Sequence, residues 1–273
     1  MTQLLSTFLQ NIYIYPIKSL SGIALKSSYT EERGLPHDRR WLLVDKDNKS
    51  LTQRQHSEMA LLEVAIKDKE LEVNHKNNLL SHLKIPLDYI HTERIPITIF
   101  NDVVVAPVVN DPVIEEWFSN ALGEKVKLVF MDAATERKIN PDYAKMGEMV
   151  SFSDGYPVLV TTQASLNELN GRLDQAVPMD RFRPNLVVGG AKPYQEDNWD
   201  QITIGTAVFK VVKPCGRCVV TTINQTTAEK SKEPLKTLSS YRMKNNKVIF
   251  GQNLIPLNRG EIKIGDEVKI KYK

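Results

Sequence analysis

The stretch Val208-Phe-Lys-Val-Val-Lys-Pro-Cys-Gly-Arg-Cys-Val-Val-Thr-Thr-Ile223 holds both cysteines of the 273-residue chain between two runs of β-branched residues. Such side chains are enriched in strands, so Val208–Val212 and Val219–Ile223 are predicted strands. The pair Cys215 and Cys218 is then expected in a turn between them. Two cysteines in one short window cannot form a disulfide framework, so their role is local chemistry or packing.

Short apolar segments separated by turn residues continue on both sides of this stretch. Runs with alternating or β-branched side chains, bounded by glycine, proline or asparagine, predict strands. The other predicted strands are Ile12–Ile17, Trp41–Val44, Leu61–Ile66, Glu70–Val73, Pro157–Thr161, Leu186–Val188 and Ile202–Ile204. At the C-terminus, Ile262 to Tyr272 spans a Gly265-Asp266 turn and predicts a β-hairpin with its apolar side chains on one face.

Two helices are predicted from their boundary signals. Asp111 supplies an N-cap, Pro112 occupies the first helical position and Gly123 supplies a stop. A second helix is predicted over Ser165–Asp174, because its first residue and the glutamate three positions later have capping-box spacing. Many short strands with few helices predict a mainly β protein with some α, centred on β-barrels rather than on a doubly wound sheet.

The composition limits the classes of function. With 41% hydrophobic residues, the chain can bury a large core. A net charge of +3 is too small to predict nucleic-acid binding, so any anion site must be local. The sequence contains neither a signal-peptide pattern nor a membrane-spanning run, which predicts a cytoplasmic protein without a membrane partner. The charged stretch 132–149 is expected to join two halves or to form a mobile loop over a site.

Several chemistries share the spacing of Cys215 and Cys218. A structural zinc site needs two more ligands, but there is no second cysteine pair and the histidines lie far upstream. These histidines are His37, His56, His75, His82 and His91. A thioredoxin-like couple would start a helix, whereas strand-forming residues follow here. Arg217 favours an ionised neighbouring sulfur, but the residues alone leave ligation of a soft metal and an inert pair equally open.

An ordered set of motifs covers nearly the whole chain. The motifs are Tyr15-Pro-Ile-Lys-Ser19, His37-Asp-Arg-Arg-Trp41, Thr52-Gln-Arg-Gln55, Phe152-Ser-Asp-Gly155, Phe182-Arg-Pro-Asn185, Pro214-Cys-Gly-Arg-Cys218 and Phe250-Gly-Gln-Asn253. Each is weak alone, but in this order they resemble the MOSC proteins, named for the C-terminal domain of molybdenum cofactor sulfurase. They are most similar to the branch that contains the mitochondrial amidoxime-reducing component and its bacterial relatives.

The resemblance implies an N-terminal MOSC β-barrel domain over residues 1–125 and a MOSC β-barrel domain over residues 126–273. It implies that a pyranopterin molybdenum cofactor lies between them, with Cys218 as the protein's thiolate ligand to molybdenum. As the ligand of the reacting metal, Cys218 is also the catalytic residue that the resemblance implies. Cys215 matches a position that relatives do not need as a ligand.

The resemblance also implies which side chains hold the cofactor. They are Lys18, Ser19, Arg39, Asp154, Thr162, Arg183, Asn185, Arg217 and Asn253. A phosphate and a polar pterin need hydrogen-bonding groups, and molybdenum needs a soft sulfur, so the set suits the cofactor. Simpler roles stay open for Lys18 as a solvated strand-end charge, Thr162 as a helix cap and Asn253 as a turn residue.

By the same resemblance, the protein is a molybdenum-dependent oxidoreductase that reduces small N-hydroxylated compounds such as amidoximes or hydroxylamines. Two cysteines cannot hold an iron–sulfur cluster, so the electron donor is expected to be a separate protein of the ferredoxin, flavin or cytochrome type. Two other hypotheses stand. The protein carries the cofactor, or sulfur on Cys218, to another protein, or it is a cofactor-free thiol redox protein that uses both cysteines.

Overall fold

A computed structural model describes residues 6–89, 93–144 and 146–273, so His91 lies outside the described residues. The prediction of a mainly β chain with some α-helix is confirmed. The strands are β1 (Phe8–Ile14), β2 (Ile23–Leu25), β3 (Ser27–Tyr29), β4 (Trp41–Val44), β5 (Leu62–Lys67), β6 (Glu70–His75), β7 (Leu83–Pro86), β8 (Arg94–Ile99), β9 (Asp102–Pro107), β10 (Lys127–Phe130), β11 (Val158–Thr162), β12 (Leu186–Gly189), β13 (Trp199–Ile204), β14 (Ala207–Arg217), β15 (Met243–Lys244), β16 (Lys247–Pro256), β17 (Glu261–Lys263) and β18 (Val268–Tyr272). The α-helices are α1 (Pro112–Leu122), α2 (Gln163–Asn170) and α3 (Leu235–Tyr241), and 3-10 helices span Ser57–Leu61, Met179–Phe182, Gln195–Asn198 and Val219–Thr222.

The largest sheet contains the first strand of the chain and most strands of its second half. Its order is β18-β13-β14-β16-β11-β12-β1-β2, with β15 paired to β16. Ile12 on β1 lies opposite Leu186 on β12. Backbone hydrogen bonds of 2.8 Å from Val268 N to Thr7 O and from Gly265 N to Leu9 O bring the last strand beside the first. The strand at one end of this sheet, β18, therefore begins beside β1, which is next to the strand at the other end.

Smaller antiparallel sheets come mainly from the first half of the chain. They are β10-β4, β17-β3, β5-β6-β7 and β8-β9. Because β1 and β2 join the large sheet while β10 pairs with β4, strand pairing crosses the predicted boundary at residues 125 and 126 in both directions. That boundary stays a prediction. Among the described helices, none is long and apolar enough to cross a bilayer.

The first predicted helix is confirmed at both ends. Asp111 is the N-cap of α1, and its carboxylate accepts hydrogen bonds from Val113 N at 2.9 Å and Ile114 N at 3.3 Å. Gly123 follows the helix with a φ of +67°, a left-handed conformation that glycine adopts without steric cost. The helix packs Phe118 into the same core as Trp41 on β4.

The segment after Cys218 contradicts the predicted strand. Val219–Thr222 forms a 3-10 helix, in which the Thr221 hydroxyl donates to Cys218 O at 3.0 Å and the Thr222 hydroxyl donates to Val219 O at 2.7 Å. These short side chains donate hydrogen bonds to carbonyl oxygens and so stabilise a tight turn. The turn forms although the neighbouring valines favour a strand. Cys215 lies within β14 itself, so the predicted turn between two strands is wrong.

One further local prediction is wrong, and another is confirmed as a helix but with different bounds. The C-terminal hairpin does not form, because β17 pairs with β3 and β18 pairs with β13. The second helix begins at Gln163 and ends at Asn170, and its N-cap is Thr162 instead of Ser165. The Ser165 side chain instead donates to the buried carboxylate of Glu196 at 2.8 Å. The short α3 was not predicted.

Candidate functional site

One cleft of about 490 Å³ lies where the end of β14 meets the segments that follow β1 and that precede β11. Its lining includes seven cationic side chains and one carboxylate, that of Asp154. The cations are Lys18, Arg39, Arg54, Arg183, Lys213, Arg217 and Lys247. Such an excess of positive charge in a concave surface favours an anionic ligand.

Lys18 and Asp154, which both line the cleft, form an ion pair. Lys18 follows β1 and is buried, and its ammonium donates to Asp154 Oδ1 at 2.5 Å and to Phe152 O at 2.8 Å. Burial lowers the pKa of Lys18, and the ion pair opposes this shift. Partial desolvation raises the pKa of Asp154, but the Lys18 ammonium outweighs it and holds that pKa well below its usual range. The Asp154 side chain is 72% exposed, so its second oxygen is open to a ligand.

The loop that carries Asp154 is held by a buried arginine. Arg137 donates from NH1 to Ser151 O at 2.8 Å and to Ser153 O at 2.5 Å, while its Nε donates to Asp102 at 2.9 Å. Arg137 lies in the stretch 132–149, which contains no helix and no regular strand among its described residues. This stretch therefore helps to fix one wall of the cleft.

Arg39 is held by a carboxylate beneath the cleft. Its NH1 donates to both oxygens of the fully buried Asp38 at 2.7 Å, and Tyr15 N donates to Asp38 Oδ1 at 2.8 Å. A charge-assisted pair of this kind has a defined geometry. Asp38 thus fixes the direction of the guanidinium relative to the end of β1.

Tyr15 lies between two guanidinium groups. The Cζ atoms of Arg39 and Arg183 are 4.2 and 4.3 Å from its ring centroid. Its hydroxyl donates to Pro184 O at 3.1 Å, and Arg183 donates to Leu20 O at 2.6 Å. Burial lowers the pKa of Arg183 to about 10 and raises the pKa of Tyr15. The aromatic ring lets two like charges lie in one wall, since each is attracted to its π face.

Three lining residues adopt left-handed backbone conformations that non-glycine residues rarely take. Ser19 has a φ of +70°, Arg39 of +50° and Arg183 of +51°. Each such residue costs on the order of 1–3 kcal/mol and persists only where its surroundings require it. Their concentration around one cleft indicates that the chain tolerates strain there to place these groups.

The two cysteines differ in their surroundings. Cys218 is exposed, while Cys215 is half-buried and accepts a hydrogen bond from Arg217 NH1 at 3.0 Å. Arg217 NH2 donates to Phe182 O at 2.5 Å, but its buried Nε has no hydrogen-bond partner among the described residues. Irregular pairing between β14 and β16 from Pro214 to Gly216 bends the strand at this point.

Two predicted amide side chains contact backbone atoms. Asn185 is buried, accepts from Leu159 N and donates to Tyr13 O, both at 3.1 Å. Asn253 donates to Lys213 O at 3.2 Å, and its side-chain oxygen accepts no hydrogen bond from the described residues. Asn185 therefore ties β1 to β11, and Asn253 has more hydrogen-bonding capacity left for a ligand.

The cleft brings together most of the residues singled out from the sequence. Nine of the ten line it, namely Lys18, Ser19, Arg39, Asp154, Arg183, Asn185, Arg217, Cys218 and Asn253. Thr162 does not; it is fully buried, and its hydroxyl accepts from Ser165 N at 3.1 Å and donates to Glu196 at 3.1 Å. Its observed role is the helix cap that was the simpler alternative.

Sequence reasoning missed several lining cations and one aromatic neighbour. Arg54 and Lys213 lie inside or beside the quoted motifs, which was the available signal, whereas Lys247 gave none. Phe100, at the tip of the β8–β9 hairpin, has a φ of +54° and places its ring 4.9 Å from Arg54 Cζ and 5.5 Å from Lys18 Nζ. Only the folded chain brings this hairpin to the cleft.

The donor set suits one kind of metal cofactor better than a protein-ligated ion. The described residues contain no group of three or more His, Cys, Asp or Glu that could hold a metal ion. A single exposed sulfur and several cations instead fit a metal whose other ligands come with an anionic organic group. The residues present therefore suit the pyranopterin molybdenum cofactor that the sequence resemblance implies.

Comparison with protein families gives two adjoining matches. Residues 6–125 match the family model of the MOSC N-terminal beta barrel domain, and residues 147–269 match that of the MOSC domain. The YUAD protein of Bacillus subtilis, a solved structure, aligns with 98% of this chain and 97% of its own at a TM-score of 0.41 and 11% identity.

Curated relatives extend over most of the chain. Mitochondrial amidoxime-reducing component 1 of Homo sapiens is 30% identical over 94% of this chain and 81% of its own length. Mitochondrial amidoxime reducing component 2 of Rattus norvegicus is 31% identical with the same coverage. Molybdenum cofactor sulfurase of Oryza sativa subsp. japonica is 33% identical over 96% of this chain but only 34% of its own length.

Proposed function

Because the chain belongs to the MOSC family, we propose that it is a molybdenum-cofactor-dependent oxidoreductase that reduces small N-hydroxylated compounds. The observation that carries this proposal is the meeting of one exposed thiol, that of Cys218, with seven cationic side chains in a single cleft. Relatives named for amidoxime reduction, at about 30% identity over most of the chain, support the choice of reaction.

The reaction is a two-electron reduction. The substrate N–OH group takes up two protons and two electrons, its N–O bond breaks, and the products are N–H and water. The cofactor, when bound, would supply the two-electron chemistry. The chain's own task is to hold that group and leave space for the substrate.

Individual residues have distinct parts in this proposal. Cys218 supplies the soft sulfur ligand, while Lys18 and Arg39 offer charged donors to the phosphate or pterin. Arg217 contributes positive charge to the lining of the cleft, and Asn253 its free amide oxygen. Asn185, Asp38 and Arg137 position these groups from behind the cleft.

Metal and pterin analysis of protein made in a host competent for molybdenum cofactor synthesis tests the proposal. We expect Cys218→Ser to lose molybdenum and Cys215→Ser to retain it. Both variants should keep the fold, which circular dichroism will check. Activity is then measured with dithionite-reduced methyl viologen and a hydroxylamine substrate. A wild-type protein that binds no molybdenum, or a Cys218→Ser variant that keeps it, contradicts the proposal.

A second candidate function is a carrier of the cofactor or of sulfur. The similarity to a molybdenum cofactor sulfurase and the exposure of Cys218 favour it. Retention of cofactor without reduction of hydroxylamines or amidoximes would indicate a carrier. A thiol redox protein would need both cysteines, so equal loss of activity in Cys215→Ser and Cys218→Ser would indicate that third alternative.

A further inference from the structure

Positive charge is concentrated in the part of the chain that surrounds Cys218. Residues 213–247 contain eight Lys and Arg but only two Glu, a net charge of +6, whereas the whole chain has +3. All other residues together are therefore net negative, at −3. This segment begins on β14 at the cleft and ends at the start of β16.

The fold places these charges beside the mouth of the cleft. The 3-10 helix Val219–Thr222 directly follows Cys218, and α3 contacts both this helix and β15. Ser231 N donates to Thr222 O at 3.2 Å, which brings the start of the lysine-rich segment to the same place. Four exposed lysines on these elements form what we call the basic collar: Lys232, Lys236, Lys244 and Lys247.

The basic collar is not neutralised within the protein. None of its four lysines forms an ion pair with a carboxylate among the described residues. Two apolar side chains beside it face solvent, since Val219 is 54% exposed and Met243 is 53% exposed. An apolar centre with a polar, solvent-accessible rim is the usual arrangement of a protein interface.

We propose that the basic collar, with Val219 and Met243, is the docking surface for an electron-donor protein with an acidic face. The inference rests on the proposed function, which needs two electrons per substrate from outside the chain. A one-electron iron–sulfur donor would dock twice for each N–O bond reduced. Because Cys218 lies at the cleft mouth beside this surface, docking there gives the donor a short path to the site. Complementary charges increase the rate of association between two proteins, and this electrostatic attraction weakens as the salt concentration increases.

The test separates donor docking from the reaction itself. Lys236→Glu/Lys244→Glu reverses two collar charges that do not line the cleft, and Lys263→Glu/Lys269→Glu makes the same charge change at exposed lysines on β17 and β18. Hydroxylamine reduction is driven either by a reduced, acidic [2Fe–2S] ferredoxin or by reduced methyl viologen. We expect the collar variant to raise the KM for ferredoxin at least about tenfold, with unchanged viologen activity. The control variant should resemble wild type in both assays.

Other outcomes overturn the proposal. Equal KM values for ferredoxin in the two variants, or a wild-type KM that does not rise with salt, would exclude this surface as the docking site. If the collar variant loses binding to duplex DNA or to anionic lipid vesicles but keeps its ferredoxin KM, the collar serves a different polyanion. If wild type lacks viologen activity, the proposed function fails. Salt-dependent binding of ferredoxin, measured by calorimetry for both variants, then still decides the docking surface.

Discussion

The two walls of the cleft use their cations differently. The N-terminal wall consists of Lys18, Ser19 and Arg39, and the C-terminal wall of Arg217, Cys218 and Lys247. In the first, Lys18 is anchored to Asp154 and Arg39 to Asp38, and both side chains are largely buried. In the second, a guanidinium nitrogen is unpartnered, one lysine has no ion pair among the described residues, and the sulfur is exposed.

Desolvation explains this difference. A buried charge without a partner costs several kcal/mol, so the cations of the N-terminal wall need the carboxylates and carbonyls that hold them. Their positions are thereby coupled to the stability of the fold. The C-terminal wall keeps the Cys218 sulfur and the Lys247 ammonium near solvent, where a ligand or partner can bind them. Substitutions in the first wall should therefore reduce stability, and those in the second should change binding with little effect on stability.

The largest expected effect on stability is at Asp38. Asp38→Ala leaves the Arg39 guanidinium and Tyr15 N without their carboxylate, so the free energy of unfolding should fall by about 3–5 kcal/mol. Urea unfolding measures this change. Asp200→Ala is the matched control, because it removes the partner of the half-exposed Lys210 and should cost at most about 1 kcal/mol. If the two variants lose similar amounts of unfolding free energy, the cations of the N-terminal wall do not depend on their buried carboxylates in the way described above.

A smaller effect is expected outside the cleft at Thr162. Thr162→Val keeps the shape of the side chain but removes the N-cap of α2 and a hydrogen bond to Glu196, which should cost about 1–2 kcal/mol. Molybdenum content should equal that of wild type, because this residue does not line the cleft. A variant of normal stability that loses molybdenum would restore Thr162 as a cofactor residue.

Removing one hydroxyl from behind the N-terminal wall should have a modest effect. Tyr15→Phe keeps the ring between the two guanidinium groups but loses the hydrogen bond to Pro184 O, so stability should fall by about 1 kcal/mol. Tyr13→Phe is the control, since no hydrogen bond of its hydroxyl is found among the described residues. Thermal unfolding of both variants would reveal the difference, and a loss only in Tyr13→Phe would contradict it.

The smallest effect is a change in how stability depends on pH in acid. The pKa of Asp154 lies below its ordinary value of 3.8, so the ionised carboxylate stabilises the folded protein above that pH. This stabilisation is lost as the pH falls below 3.8 towards the folded-state pKa. The free energy of unfolding should therefore decrease less steeply on acidification in Asp154→Asn than in wild type. Near neutral pH, the two proteins should show the same dependence of stability on pH. Unfolding curves at a series of pH values check this, and parallel acid slopes would argue against the ion pair.

The sequence correctly predicted helix ends that depend on contacts between residues close together in the chain. Asp111 and Gly123 mark both ends of α1 because each acts on atoms within one helical turn. The boundaries of β4 were also predicted correctly. The motif residues identified most of the cleft, but only through a family resemblance. Their spacing along the chain does not predict a contact such as that between Lys18 and Asp154.

The failed predictions depend on contacts that sequence pattern does not encode. The apolar alternation of Glu261 to Tyr272 fits a hairpin, yet each strand finds a different partner, β3 or β13, elsewhere in the chain. After Cys218, two threonine hydroxyls bond to nearby carbonyls and stabilise a 3-10 turn in a run of strand-forming residues. The seven residues of α3 include two serines and no strong N-cap, so their helical signal is weak.

The pairing of β1 has a consequence for how the protein is made. Its neighbours include β12 and residues 265–268, so a nascent chain cannot complete this sheet before residue 268 has left the ribosome. Contacts between such distant parts of a chain slow folding. Lys18 and Arg39 come close to Cys218 only once that late closure is done, so any large prosthetic group is loaded after these strands have paired.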